Sequence, residues 1–257
     1  MNIDRLLEST YFRWPARPRL VRLSGDRPTV FVGDTHGDRE ATERVFARFA
    51  VPKHQIVFLG DVVDRGPDSP GNLSRILSGT IERPESIHLL MGNHEAWTLT
   101  PFSPADFWAR LDSDQAERLG AALLRLPFAA WHPAGVIATH GALPDVPSLE
   151  QFEAIPLGSD PWQAVTWGDW SESAEGGAVG FGRRPQLGRD AFERRMEHLN
   201  ARVLVRSHQP FAPTYLFDDR CLTVFTSSAY GDGRRRVAVL SAGRALRTAK
   251  DLDLIEL

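Results

Sequence analysis

Short apolar runs, each closed by glycine, set the rhythm of the first half of this 257-residue chain. PTVFVG covers 28–33, HQIVFLG ends at Gly60 and SIHLLMG ends at Gly92. Runs of that length bounded by turn residues read as buried strands, predicted here over 28–33, 55–60 and 86–91. Between them, DREATERVFARFA at 38–50 spaces its apolar residues as a helix does, and a shorter helix is expected near 71–78. The order β-α-β-α-β predicts parallel strands joined by right-handed crossovers.

Beyond residue 100 the pattern changes. A helix is predicted over 104–126, with Pro104 near its start and LGAALLRL as its apolar face. Strands are expected at 128–131 and 136–139, about the turn His132 to Gly135. SESAEGGAVGFGRRPQL, 171–187, reads as a long loop, functional or mobile, and a helix at 189–200 and a strand at 202–206 follow it. The remainder reads as hairpins, one turning at Asp218-Asp219 and one, in RVAVLSAGRALRT, at Ala242-Gly243. A βα-rich first half and a β-rich second half predict a mixed α/β fold. Its expected form is two packed mixed sheets flanked by helices, as one domain over 1–257.

Composition narrows the class without naming it. Hydrophobic residues at 42%, charged residues at 25% and a net charge of −3 fit a globular protein and give no basic stripe for nucleic acid. The single Cys221 cannot form an internal disulfide, and the N-terminal stretch has no apolar leader segment. No run approaches the roughly 20 apolar residues of a membrane helix. A cytoplasmic protein with no membrane or nucleic-acid partner is the expectation.

The candidate chemistry sits where the strands end. Gly33-Asp34-Thr35-His36-Gly37, Gly60-Asp61-Val62-Val63-Asp64-Arg65-Gly66 and Gly92-Asn93-His94-Glu95 each follow one apolar run. His140 and His208 end VIAT and RVLVRS in the same way. Asp34 and His36, two apart in extended chain, point to one side. Any one of these donors alone reads as a turn or a hydrogen-bonded structural residue. Together they offer oxygen and imidazole donors without thiolate, suited to divalent cations. Six donors suffice for two ions: Asp34, His36 and Asp61 on one, and Asp61, Asn93, His140 and His208 on the other. Such a pair would clamp attacking and leaving oxygens and acidify a bound water towards about pH 7. His54, His88, His132 and His198 fit no ligand pattern and read as structural.

GDTHG, GDVVDRG, GNHE, THGAL, TWGDW, VRSHQ and FTSSAYG, in that order from about 28 to 240, resemble the phosphoprotein phosphatase (PPP) family. This is a branch of the calcineurin-like metallophosphoesterases, and the resemblance implies their sandwich fold and serine/threonine phosphatase activity. It further implies two divalent ions, manganese expected and iron, zinc or magnesium as alternatives, and direct attack of a metal-bound hydroxide. Asp64 would hold His94 protonated as the acid for the leaving oxygen. Arg65 and Asn93 would bind phosphate, with Tyr230 beside them in the aromatic loop. A second phosphate-binding arginine is expected, with Arg184 favoured over Arg183 and Arg206 as a further candidate. The substrate would be a phosphorylated protein or another phosphate ester, with phosphotyrosine and small esters open. Diadenosine tetraphosphate hydrolysis is the alternative, disfavoured by Asp64, and a metal-free scaffold is a remoter one.

Overall fold

The computed structural model describes Leu7 and residues 17–172, 184–230 and 235–257. Two mixed sheets pack face to face. One holds five strands: β2 (Thr29–Val32), β3 (Gln55–Phe58) and β4 (Ile87–Leu89), with β12 (Arg236–Leu240) and β13 (Asp253–Glu256) beyond β2. The other runs in the order β1 (Leu20–Arg22), β5 (Ala129–His132), β6 (Val136–Thr139), β9 (Val203–Arg206), β11 (Cys221–Thr223), β10 (Tyr215–Leu216). A two-stranded ribbon pairs β7 (Asp169–Trp170) with β8 (Gln186–Leu187). The helices are α1 (Arg39–Phe49), α2 (Ser69–Glu82), α3 (Ser113–Leu123), α4 (Asp160–Trp167) and α5 (Arg189–His198).

The apolar runs are continuous because their strands are covered on both faces. On β2, Phe31 joins Val57, Val136, Ala138 and Val205 between the sheets, while Val30 and Val32 join the outer core with Phe46 and Leu73. β3 repeats the division, with Val57 inward and Ile56 and Phe58 towards the helices. β2, β3 and β4 run parallel, as do β6 and β9. Their carboxyl ends therefore collect at a common edge, the usual ligand position of such sheets.

Several sequence expectations shift. The helix expected over 104–126 is a short turn at Trp108–Arg110 followed by α3, because Asp112 and Gln115 form a capping box that starts the helix later. The helix expected near 71–78 is longer, starting from Asp68, whose side chain accepts from Gly71 N–H. The loop expected over 171–187 ends in β8, and residues 173–183 lie outside the described set. In the last hairpin, β12 pairs not with RALRT but with β13, after a single turn of helix at Ala249–Asp251. The two sheets also ignore the division of the chain into halves: C-terminal β12 and β13 complete the first, and N-terminal β1 edges the second. β1, β7, β8 and β13 are too short or too polar for periodicity to reveal.

One buried histidine ties this fold to acid stability. His88 in β4 is 7% exposed and its Nδ1 has no hydrogen-bond partner. Burial first, then Arg17 and Arg27, push its pKa down to about 4. A folded pKa below the unfolded value of about 6.5 means stability is whole above pH 6.5 and is lost as pH falls towards 4. Unfolding free energies from urea titrations between pH 7 and pH 4.5 should fall less for His88→Leu, by on the order of 2 kcal/mol over that range.

Candidate metal centre

Five strand ends deliver the six predicted donors to one place. Asp34 follows β2, Asp61 follows β3, Asn93 follows β4, His140 follows β6 and His208 follows β9. Asp34, His36, Asp61, Asn93, His140 and His208 are all buried. Close packing of backbone makes this convergence feasible. A Cβ on Gly33 would stand 2.0 Å from the Val224 carbonyl oxygen, and one on Gly92 would stand 2.2 Å from Asp61 Oδ1. His36, Asp61, Asp64, Arg65 and His208 all have φ between 42° and 71°, a left-handed region costly for side chains with a Cβ. Hydrogen bonds hold them there: His36 N–H to Asp61 C=O at 3.0 Å, Asp64 N–H to Ser69 Oγ at 2.9 Å, and Arg65 N–H to Asp106 Oδ1 at 2.8 Å.

At the centre stands one oxygen. Asp61 Oδ1 accepts from His94 N–H at 2.9 Å, which leaves Oδ2 among three imidazoles. Oδ2 lies 3.3 Å from His140 Nε2, 3.8 Å from His94 Nε2 and 3.9 Å from His36 Nε2. Oδ2 alone therefore faces the donors on both sides. His36 Nδ1 is 2.9 Å from Val63 C=O and His140 Nδ1 is 3.1 Å from Leu59 C=O, so each ring donates there and turns its Nε2 lone pair to the cluster. His140 Nε2 also lies 3.2 Å from Asn93 Oδ1 and 3.0 Å from His208 Nδ1.

The residues fit cations. Asp34 Oδ2 is buried without any hydrogen-bond partner, 3.7 Å from His36 Nε2. His140 Nε2 and His208 Nδ1, 3.0 Å apart, must share either a proton or a cation. Burial, reinforced by Asp61, pushes the Asp34 carboxyl up to about 7, while Asp61 and Asp34 overcome burial to raise His140 to about 9. Burial, then the neighbouring His94, brings His36 down to about 3, and burial, then His140, holds His208 well below its usual value. Neutral His36 and His208 beside carboxylates are suited to coordination. Two groups of donors within ligating reach emerge, His36, Asp61 and His94, and Asp61, His140 and His208. The first names His94 where the sequence reading has Asp34. Asp34 is the better donor, because its Oδ2 is unpartnered whereas the raised pKa of His94 keeps a proton on the Nε2 that faces Asp61.

His94 Nδ1 lies 2.5 Å from Asp64 Oδ2. Asp61 and Asp64 together outweigh burial and raise the His94 pKa. Tyr230 Oη is 3.4 Å from His36 Nε2. Arg65, exposed beside it, opposes the burial that raises the Tyr230 pKa. An Arg184 guanidinium nitrogen reaches 3.4 Å from His208 Nε2. Arg183 lies outside the described residues. Arg206 does not reach the cluster: it is fully buried, donating to the Ser207 carbonyl at 3.2 Å and to Gln209 Oε1. Trp167 borders the site, 5.2 Å from Phe102 and 6.3 Å from His208 between ring centroids, whereas Trp170 fills the core against Phe192 and Phe217.

Two supports escaped the sequence reading. The Glu95 carboxylate, fully buried, accepts from Asp61 N–H at 2.7 Å, Val62 N–H at 2.9 Å and Gly92 N–H at 2.9 Å. Asp38 caps α1 through Ala41 N–H and also accepts from Ser228 N–H and Oγ and from Arg235, tying the Tyr230 loop to the His36 turn. Glu95 had a signal, its place closing GNHE. Asp38 had only that of a helix cap.

With this geometry in place, comparison with known proteins gives the class. Residues 27–211 match the calcineurin-like phosphoesterase family, and the chain belongs to it. A Caenorhabditis elegans protein carrying a serine/threonine-protein phosphatase name is 26% identical over 80% of this chain and 60% of its own length. The PP2A-like serine/threonine-protein phosphatase PPG1 of Candida albicans is 27% identical over 83% of this chain and 54% of its own. The chain thus spans only a little over half the length of these relatives. A solved serine/threonine phosphatase from Saccharomyces cerevisiae superposes with a TM-score of 0.80 at 23% identity, covering 99% of this chain and 88% of that one, a likeness of fold.

Glu95→Ala would strand three buried N–H groups under Asp61. Manganese affinity, measured by calorimetric titration of the apo protein, should fall about 10–100-fold, as expected when a supporting partner of a ligand is removed.

Proposed function

We propose that this chain is a dinuclear metal-dependent phosphomonoesterase acting on phosphoserine and phosphothreonine in proteins, as one domain in the cytoplasm, with manganese as its metal. The observation that carries this reading is Asp61 Oδ2, placed between His36 and His140 at 3.9 Å and 3.3 Å with the His94–Asp64 pair beside it. The family match and the names of the curated relatives support the reaction class. No helix among the described residues is long and apolar enough to cross a membrane.

Asp34, His36 and Asp61 would hold one cation, and Asp61, Asn93, His140 and His208 the other. When bound, these ions supply Lewis-acid charge and an acidified water as nucleophile. The chain's own residues do the rest. Arg65, Arg184 and Asn93 bind and orient the phosphoryl oxygens, Arg65 steadied by Asp106. His94, held as imidazolium by Asp61 and Asp64, donates its Nε2 proton to the departing alkoxide. Tyr230, Trp167 and Phe102 wall the site and keep bulk water from the acid.

Asp61→Asn should lose both metal content, by elemental analysis, and turnover, because both sites share that oxygen. His94→Asn should keep its metal while kcat on phosphothreonine peptides drops about 10²–10⁴-fold, with a smaller fall on p-nitrophenyl phosphate, whose leaving oxygen needs no proton. Equal turnover of peptide by the variant would remove His94 as the acid. The broader test is a manganese-supplemented panel of phosphoserine, phosphothreonine and phosphotyrosine peptides with diadenosine tetraphosphate. Preference for the dinucleotide would overturn the assignment.

A further inference from the structure

Phe211 is 86% exposed, while the other exposed large apolar side chains among the described residues, Ile81 and Leu99, reach only 37% and 39%. Isolated apolar residues on a surface need no explanation, but this one has a built support. It sits at the tip of a turn closed by Ala212 N–H donating to Gln209 C=O at 3.2 Å, directly after Pro210, whose φ is fixed by its ring. The base of the turn is pinned. Gln209 N–H donates to Ser207 C=O at 2.8 Å, and Gln209 Oε1 accepts from Trp170 N–H at 2.8 Å and from the buried Arg206. The ring is therefore held out by structure rather than carried on a loose loop.

It is also aimed along the site. Phe211 meets Tyr230 edge to face, 6.3 Å between centroids at 85°, and Tyr230 meets His36 at 5.4 Å. Those two ring-to-ring steps together span at most about three residues of extended peptide at roughly 3.3–3.6 Å each. A phosphoryl group bound at the donors would leave its own residue beside Tyr230 and a residue two or three positions away beside Phe211. A pre-ordered aromatic side chain contributes to binding without the entropy cost of being ordered on contact.

We infer that Phe211 is a specificity-determining residue, receiving an apolar side chain two or three positions from the phosphorylated residue of a protein substrate. The inference rests on the phosphoprotein phosphatase reading above and adds the sequence class that reading leaves open. Small phosphate esters are too short to reach Phe211.

The test compares wild type, Phe211→Ala and Phe211→Leu on manganese-loaded protein. The substrates are phosphothreonine peptides with leucine or serine scanned through the second and third positions on either side, together with p-nitrophenyl phosphate. Wild type should favour leucine at one such position by about 10-fold in kcat/KM, the burial of one apolar side chain. Phe211→Ala should erase that preference through KM, and Phe211→Leu should keep most of it. p-Nitrophenyl phosphate should lose no more than the serine peptides. Wild type without any leucine preference, or a preference that survives Phe211→Ala, overturns the inference while leaving phosphatase activity intact. Turnover of p-nitrophenyl phosphate with no phosphopeptide turned over would instead sink the protein-phosphatase reading, and this inference with it.

Discussion

The position of one carboxylate oxygen, Asp61 Oδ2, governs the rest of the site. Asp61 holds a left-handed backbone at the end of β3, with φ of 51°. Three contacts keep it there: Glu95 accepts its amide, His94 N–H fixes its other oxygen, and Gly92 leaves the room its side chain occupies. A buried carboxylate such as Glu95 is costly unless its hydrogen bonds are met, and here three backbone N–H groups meet it. The Glu95 crosspiece thus converts the strand end and the GNHE turn into one rigid unit, with Oδ2 as the point left free.

The second constraint is between sheets, because the donors come from both. Asp34 belongs to one sheet, and His140 and His208 to the other. Their separation would vary with any sliding of the sheets were the site end not fastened. Gly33 N–H donates to Thr226 Oγ1 at 2.9 Å, and Asp34 N–H donates to Ser207 Oγ at 2.9 Å. Ser207 Oγ in turn donates to Val224 C=O at 2.6 Å, and Asp34 forms a parallel bridge with Phe225. These bonds fasten the end of β2 to the strands of the opposite sheet within one residue of the donors. Sites that need sub-ångström placement are built on such rigid elements.

This arrangement explains what could be read from the chain alone. The parallel core was legible because β2 and β3 are apolar on both faces and end in glycine, and each donor directly follows such an end. The grouping of donors followed from parallel strands sharing an edge. What stayed hidden depends on partners distant in sequence. β13 shows no alternation and gains its place only by pairing with β12, and β1 is three residues laid against β5. Arg206 looks from the sequence like an arginine beside a donor, yet the left-handed backbone at His208 breaks the alternation that would align the two, and Arg206 stays in the core against Gln209. Asp38 reads as a helix cap, and its second task, holding Ser228, comes from a residue 190 positions away.

The segment between the third donor turn and α3 couples two properties that the sequence presents as separate. Asp64 Oδ2 faces His94, and Asp64 Oδ1 accepts from Phe107 N–H at 2.7 Å. Trp108 Nε1–H donates to the His94 carbonyl at 2.9 Å, Phe102 lies edge-on to the His94 ring at 4.7 Å, and Asp106 holds the Arg65 amide. Phe102, Asp106, Phe107 and Trp108, which border the site, are therefore also the residues that position His94, Asp64 and Arg65. A change of wall shape cannot leave the His94 environment unaltered, since the same backbone from Phe102 to Trp108 serves both. In the proposed reaction, substrate selection and proton donation would therefore rest on one segment, and divergence there would move them together.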